Sequence, residues 1–460
     1  MNSKLLLFFV ILLLFSACEK DETFSNDPQA QLRFSTDSVL FDTLFTSVGS
    51  VNRRLKIYNP NEGAILINKI GLSGAQSSAY SLNINGQAGN ESEQIKLNGR
   101  DSINIFIKVT INPNNQQLPF LVNDTLNISY LGKRQAIPLM AYGQNARFIR
   151  QTSISSDTEW NNELPYVVYQ SLTVEEGATL RIGAGSQIRF HSNATLNIKG
   201  SLIVAGQAGD SVLFSSDRLE PLYAEEPGQW NGLHFYPQSK NNRIQYALIQ
   251  NAVAGITADS LGQNGAPKLL LSNTTLKNMT VVGFIGYNSA LTAFNNLFYR
   301  CGQYLLYVAG GGQYNLKQNT FAGYNPNIAR SSPSLYFSNA IGSQQSAPLD
   351  LSLQNNIIWG NLADELSIEK KGNDRPFTTD IQNNLIRSRN SLYTTGNNIL
   401  NLNPAFLQPE NGNFKLAKDS PARRKGLDLQ KDPYFKTFLS HDKNNNERLF
   451  PSDLGCYENL

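Results

Sequence analysis

Between Ile244 and Arg387 the apolar positions recur in a pattern that suits neither an amphipathic helix nor a row of hairpins. Six short segments carry it: Ile244-Gln-Tyr-Ala-Leu-Ile249, Leu271-Ser-Asn-Thr-Thr-Leu276, Ala293-Phe-Asn-Asn-Leu-Phe298, Leu316-Lys-Gln-Asn-Thr-Phe321, Leu353-Gln-Asn-Asn-Ile-Ile358 and Ile381-Gln-Asn-Asn-Leu-Ile386. Each begins and ends with an apolar residue, and most hold Asn or Gln between. Their starts at 244, 271, 293, 316, 353 and 381 lie 27, 22, 23, 37 and 28 residues apart. Self-similarity at such periods marks a solenoid, in which each repeat buries its apolar face on its neighbours. The segments are rich in β-branched and aromatic residues and lack helical periodicity, so the unit is a strand. Asn tolerates the left-handed backbone that a sharp corner needs. Stacked amides can also hydrogen-bond from coil to coil. Asn295, Asn296, Asn319, Asn355, Asn356, Asn383 and Asn384 are therefore expected to form a structural ladder. Apolar columns inside and an Asn corner describe a right-handed parallel β-helix.

On those corners and columns the chain resembles the pectate-lyase-like β-helix proteins over roughly half its length. Gly177-Ala-Thr-Leu180, Gly200-Ser-Leu-Ile203 and Gln229-Trp-Asn-Gly-Leu-His-Phe235 look like the first coils of bacterial members. The tail carries Asn403-Pro-Ala-Phe406, Gly412-Asn-Phe-Lys-Leu416, Ser420-Pro-Ala422 and Asp453-Leu-Gly-Cys-Tyr-Glu458. That ordered set resembles the C-terminal segment of bacterial surface β-helix proteins. It implies a cap for the open end, where an uncovered last coil would expose strand edges. The β-helix is expected over 150–402 and the capping segment over 403–460.

Ahead of it, 31–146 reads as a β-sandwich. Ile103, Ile105, Ile107, Val109 and Ile111 alternate with polar neighbours, so one face is buried. About seven such strands in this span argue for a sandwich. Leu55 to Asn59, the Gly99-Arg-Asp-Ser102 turn and the closing Ala141-Tyr-Gly143 resemble the immunoglobulin-like modules of the spindle-and-cilia type. The fold class is all-β, sandwich first and β-helix second.

The first residues are a targeting segment. Lys4 precedes the apolar run Leu5 to Phe15, which is too short to span a bilayer. Phe15-Ser16-Ala17-Cys18 resembles the bacterial lipobox. The likeness implies cleavage after 17, acylation of Cys18 and a tether over 18–30. Lys20-Asp21-Glu22 resembles the surface-export signal of lipoproteins in one Gram-negative phylum. Together they imply an outer-membrane lipoprotein, anchored by its N-terminal lipid and facing outward.

Charged residues make up only 16% of the chain and the formal net charge is +3, so nothing argues for a nucleic-acid partner. Cys301 and Cys456 show no metal-ligand spacing. They read as buried free thiols, or as a disulfide if the tail folds back on the middle coils. Asp442, Asn444 and Asn446 have a faint calcium-loop spacing but lack the glycine and the distal acid of that motif. No cofactor, metal or catalytic residue is assigned, and the sequence leaves the oligomeric state open.

The candidate chemistry is binding. No Asp or Glu occurs from Ser260 to Leu349, whereas glycoside hydrolysis normally needs two carboxylates about the scissile bond. The acids that follow, among them Asp350, Asp364, Glu365 and Asp380, read as loop charges. His191 and His234 have no acid at a fixed spacing and read as structural. The residue after each inward apolar position should point outward. That column is Gln250, Lys277, Tyr299, Ala322, Trp359 and Arg387. With Arg300 beside it, Lys277, Tyr299, Trp359 and Arg387 form a candidate ridge for sugar rings and acidic groups. The polar stretch 323–348 reads as a projecting loop. The leading expectation is a lipoprotein that binds a polysaccharide or another surface ligand without catalysis. The alternatives are a polysaccharide lyase or glycoside hydrolase, and a structural stalk or adhesin.

Overall fold

A computed structural model describes residues 23–25, 27–342 and 345–459. The leader and Cys18 lie outside them. The chain divides into two compact units after Asn145.

The first unit is a sandwich of two five-stranded sheets. One runs Arg33–Phe34, Arg53–Tyr58, Ser102–Val109, Tyr80–Ile84, Gln87–Ala88 in spatial order. The other runs Val39–Phe45, Lys133–Gln144, Phe120–Tyr130, Ile65–Leu72, Glu91–Leu97. Pairing is antiparallel except that Val39–Phe45 lies parallel to Lys133–Gln144. The alternation of Ser102–Val109 sends Ile103, Ile105, Ile107 and Val109 inward, where they pack with Leu55, Ile57, Leu126 and Ile128. Each such aliphatic side chain contributes about 1.5–3 kcal/mol when buried.

The second unit is a right-handed parallel β-helix whose 25 strands run from Arg147–Ile154 to Ile399–Leu400. In its later coils three faces repeat. The first face holds Leu269–Ser272, the ends of the long strands Val282–Phe294 and Tyr304–Lys317, then Leu349–Gln354 and Phe377–Gln382. The second follows the Asn corner: Thr275–Met279, Leu297–Cys301, Thr320–Gly323, Ile357–Gly360 and Leu385–Ile386. The third holds Ala254–Asp259, the starts of the same two long strands, Leu335–Ser338 and Leu366–Glu369. Leu335–Ser338 lies within the stretch read as loop. Its Ser- and Pro-rich flanks hide a four-residue strand in the sequence. Inside, Leu271, Ala293, Leu316, Leu353 and Ile381 stack in one register column.

The corner divides its work between two residues. The first takes the left-handed conformation: φ is 52° at Asn273, 55° at Asn295, 57° at Gln318, 58° at Asn355 and 53° at Asn383. The second turns inward. The Asn296 amide donates to Asn319 Oδ1, Asn319 to Asn356, Asn356 to Asn384 and Asn384 to Asn398, each at 3.0 Å. Asn398, in Asn397-Asn398-Ile399-Leu400, repeats the corner motif of Asn383-Asn384-Leu385-Ile386 and was legible there. The first-position amides point outward and are taken by the C-terminal segment. Asn383 donates to Lys425 O at 2.9 Å, and Asn355 to Leu427 O, Asn295 to His441 O and Asn273 to Asp442 O at 3.0 Å. The segment expected to cap the open end thus lies along the flank of the helix, running back from late coils to earlier ones. Corner amides and an apolar second face attract it there.

Candidate functional site

The second face carries the ridge expected to bind. Tyr299 and Trp359 do point away from the coil interior, yet they are only 7% and 6% exposed. The C-terminal segment covers them. Phe414 packs on Tyr299 with ring centroids 5.1 Å apart, and Leu416, Ala422 and Leu454 cluster with Trp359. Arg387 lies over the Trp359 ring at 5.2 Å and donates to Gly360 O. Lys277 and Arg300 are tied to Glu225 at 2.7 and 3.2 Å. The ridge is therefore an internal interface, and the expectation of Lys277, Tyr299, Arg300, Trp359 and Arg387 as an open ligand surface is corrected. Outward apolar rings gain by being covered; spacing reports their direction and not what lies over them.

The carboxylate-free run is likewise filled from elsewhere. Glu225 comes from an earlier loop, and Asp432 of the C-terminal segment pairs with the buried Lys317. Glu365, read as a loop charge, is fully buried. It accepts from Arg330 at 2.6 Å, from the Ser334 amide and hydroxyl at 2.9 and 2.7 Å, and from Leu362 N at 2.9 Å. A Cβ on Gly360 would sit 2.2 Å from Glu365 Oε1, so only glycine leaves room for this carboxylate. The two histidines have acid partners after all: His191 Nδ1 lies 2.7 Å from Asp217, and His234 Nε2 lies 2.7 Å from Asp259. Asp442 accepts from Asn444 N, Asn446 N and Glu458 N, so its oxygens serve the turn itself. Cys301 and Cys456 are buried free thiols.

The open aromatic surface is on the third face. Register aligns Ile285, Tyr307, Tyr336 and Ser367 in one outward column. The Tyr307 and Tyr336 rings stack at 5.2 Å with an interplanar angle of 10°, and Tyr304 leans against both at 5.0 and 6.0 Å. The stack separates two open hollows. One, of about 320 Å³, is lined by Val282, Ile285, Tyr287, Gln303, Tyr304 and Tyr307. The other, of about 560 Å³, is lined by Tyr304, Ser332, Tyr336, Asp364, Ser367, Glu369 and Arg389. Arg330 and Glu365 clamp the base of the second hollow, because Arg330 also holds Ser332 O at 2.7 Å. Tyr336 donates to Glu369 at 2.9 Å. Burial and that carboxylate push its hydroxyl up to about 12. Arg389 is paired with Asp364 at 2.6 Å. The corner motif does not mark these tyrosines. The signal was the strand-like Leu335-Tyr-Phe-Ser338 inside a polar stretch.

No family model matches the chain, and no curated protein matches it. Among solved structures, the E. coli chaperone DraB is similar at 11% identity over 25% of this chain and 56% of its own, with a TM-score of 0.18. The ASH/PapD-like domain of human CEP192 is similar at 12% identity over 28% of this chain and 95% of that domain, with a TM-score of 0.17. The catalytic domain of a GH87 α-1,3-glucanase in complex with tetrasaccharides is similar at 11% identity over 73% of this chain and 83% of its own, with a TM-score of 0.18. Scores this low carry no functional argument.

Proposed function

We propose that this is a surface lipoprotein whose β-helix holds a glycan on its third face without cutting it. The tyrosine stack between two open hollows carries the reading. Aromatic rings beside polar groups suit sugars, which present apolar C–H faces and hydroxyl edges. Tyr307 offers a ring to one hollow and Tyr336 to the other, while Gln303, Ser332, Ser367 and Glu369 supply hydrogen-bonding groups. The acids nearby are engaged: Asp364 with Arg389, Glu369 with Tyr336, and Asp259 with His234. That suits retention better than proton transfer, which needs an acid and a base free to reach the bond. The lipid anchor and outward orientation rest on the residues around Cys18.

Affinity electrophoresis of the purified chain against a polysaccharide panel tests the reading. Retardation should be lost in Tyr307→Ala and Tyr336→Ala proteins that still melt cooperatively. A panel in which no polymer's retardation falls in either variant would defeat it. Release of new reducing ends or unsaturated products would replace it with the hydrolase or lyase alternative.

A further inference from the structure

The first face carries a different surface. Where Phe294 is covered by Leu429 and Phe438, the neighbouring outward positions are polar and line a groove beside the C-terminal segment. Register places Thr292, Asn315, Ser352 and Asp380 in one column, and Gln313 opposite Asp350 in the next. Coils repeat every ~4.8 Å, so these groups form evenly spaced rungs. Pro267 on one side and Tyr434 on the other flank a groove of about 450 Å³.

Three of its groups have no partner among the described residues. Thr292 is 6% exposed, lines the groove, and its hydroxyl makes no hydrogen bond. Asn315 Oδ1 is buried and unbonded. The exposed Asp350 carboxylate makes neither a hydrogen bond nor an ion pair. A buried acceptor left unbonded is costly, so such an atom is ordinarily met by a ligand or water. Charge narrows the ligand. The only cation in the lining, Lys317, is already neutralised by Asp432. Asp380 accepts from the Gln354 amide at 2.6 Å and has no cationic partner. An acidic sugar would bring a third negative charge to Asp350 and Asp380 with nothing to answer it. Hydroxyls and protonated amines would be met by acceptors.

We propose that this groove, lined by Thr292, Asn315 and Asp350, is a second binding site for a glycan strand bearing no acidic groups. It lies on a different face from the tyrosine stack and does not depend on that reading.

The test uses the full chain in native gels containing laminarin or dextran (neutral), glycol chitosan (amine-bearing) or polygalacturonate (acidic). A neutral or amine-bearing polymer should retard the protein, and the retardation should survive Tyr307→Ala with Tyr336→Ala. Asp350→Ala and Asn315→Ala should each weaken it about tenfold. Asp350 is exposed, so its variant keeps the test valid even if Asn315→Ala folds poorly. Any of three results in the protein carrying both tyrosine changes overturns the site: no polymer retards it, polygalacturonate is preferred, or adding Asp350→Ala leaves its retardation as before. Retardation that no polymer loses on the tyrosine changes, but that falls with Asp350→Ala, would strike the third-face reading and leave this one standing.

Discussion

Asn356 Oδ1 accepts two hydrogen bonds from one residue, the backbone N–H of Asn319 at 2.9 Å and its side-chain amide at 3.0 Å. The Asn356 amide in turn reaches Leu316 O at 2.8 Å. Each coil thus closes the polar groups of the coil before it. Replacing Asn356 by Leu should leave the Asn319 backbone N–H unmet, with the Asn319 side-chain amide still held by Ala293 O and Lys317 O, and lower stability by about 1–3 kcal/mol. Chemical denaturation checks this; an unmoved midpoint would mean that the ladder adds nothing.

Arg330 and Glu365 are a buried pair with side chains 4% and 0% exposed. Removing one partner strands the other charge. Glu365→Ala is expected to cost about 3–5 kcal/mol, whereas the double change Arg330→Leu, Glu365→Leu should cost less. The comparison is read from urea midpoints. A double variant as unstable as the single one would show that shape, not charge, dominates here.

Trp359 is interior although it faces out of its coil. Trp359→Ala should therefore cost about 3–5 kcal/mol by opening a cavity under the C-terminal segment. Glycan retardation below the melting temperature should stay unchanged. Normal stability with lost binding would restore the ridge as a ligand surface.

Burial pushes the Glu458 carboxyl up to about 7, with Asp453 adding to the rise and Arg448 pulling against it. An unfolded Glu titrates near pH 4.3. Between those two values the folded chain holds a proton that the unfolded chain has released. Glu458 therefore makes stability fall as pH rises through that window, with its contribution fully present below the unfolded value. Glu458→Gln cannot titrate. Its melting temperature should drop less between pH 5 and 7.5 than that of the parent protein. Equal drops would remove Glu458 as the cause.

Cys18 lies outside the described residues, and its role is tested in cells. A Cys18→Ser protein should lose acyl labelling and leave the membrane fraction. Labelling that persists would sink the anchor.

The periodic residues determined the second unit by themselves. Leu271, Ala293, Leu316, Leu353 and Ile381 recur at coil intervals because an inward column must be apolar on every turn. The Asn doublets mark corners because few residues accept that backbone. Alternation in Ile103 to Ile111 declared one buried face of the sandwich in the same local way. Local patterns say which way a side chain points. They do not say which outward face stays open. The return path of the C-terminal segment decided that, through contacts such as Asn273 to Asp442, 169 residues apart, and Lys317 to Asp432, 115 apart. Tyr299 and Trp359 vanished beneath it, while Tyr307 and Tyr336 were brought together by coil register across a stretch that reads as loop. Covering an apolar face depends on where distant chain comes to rest, and no spacing within the repeats encodes that.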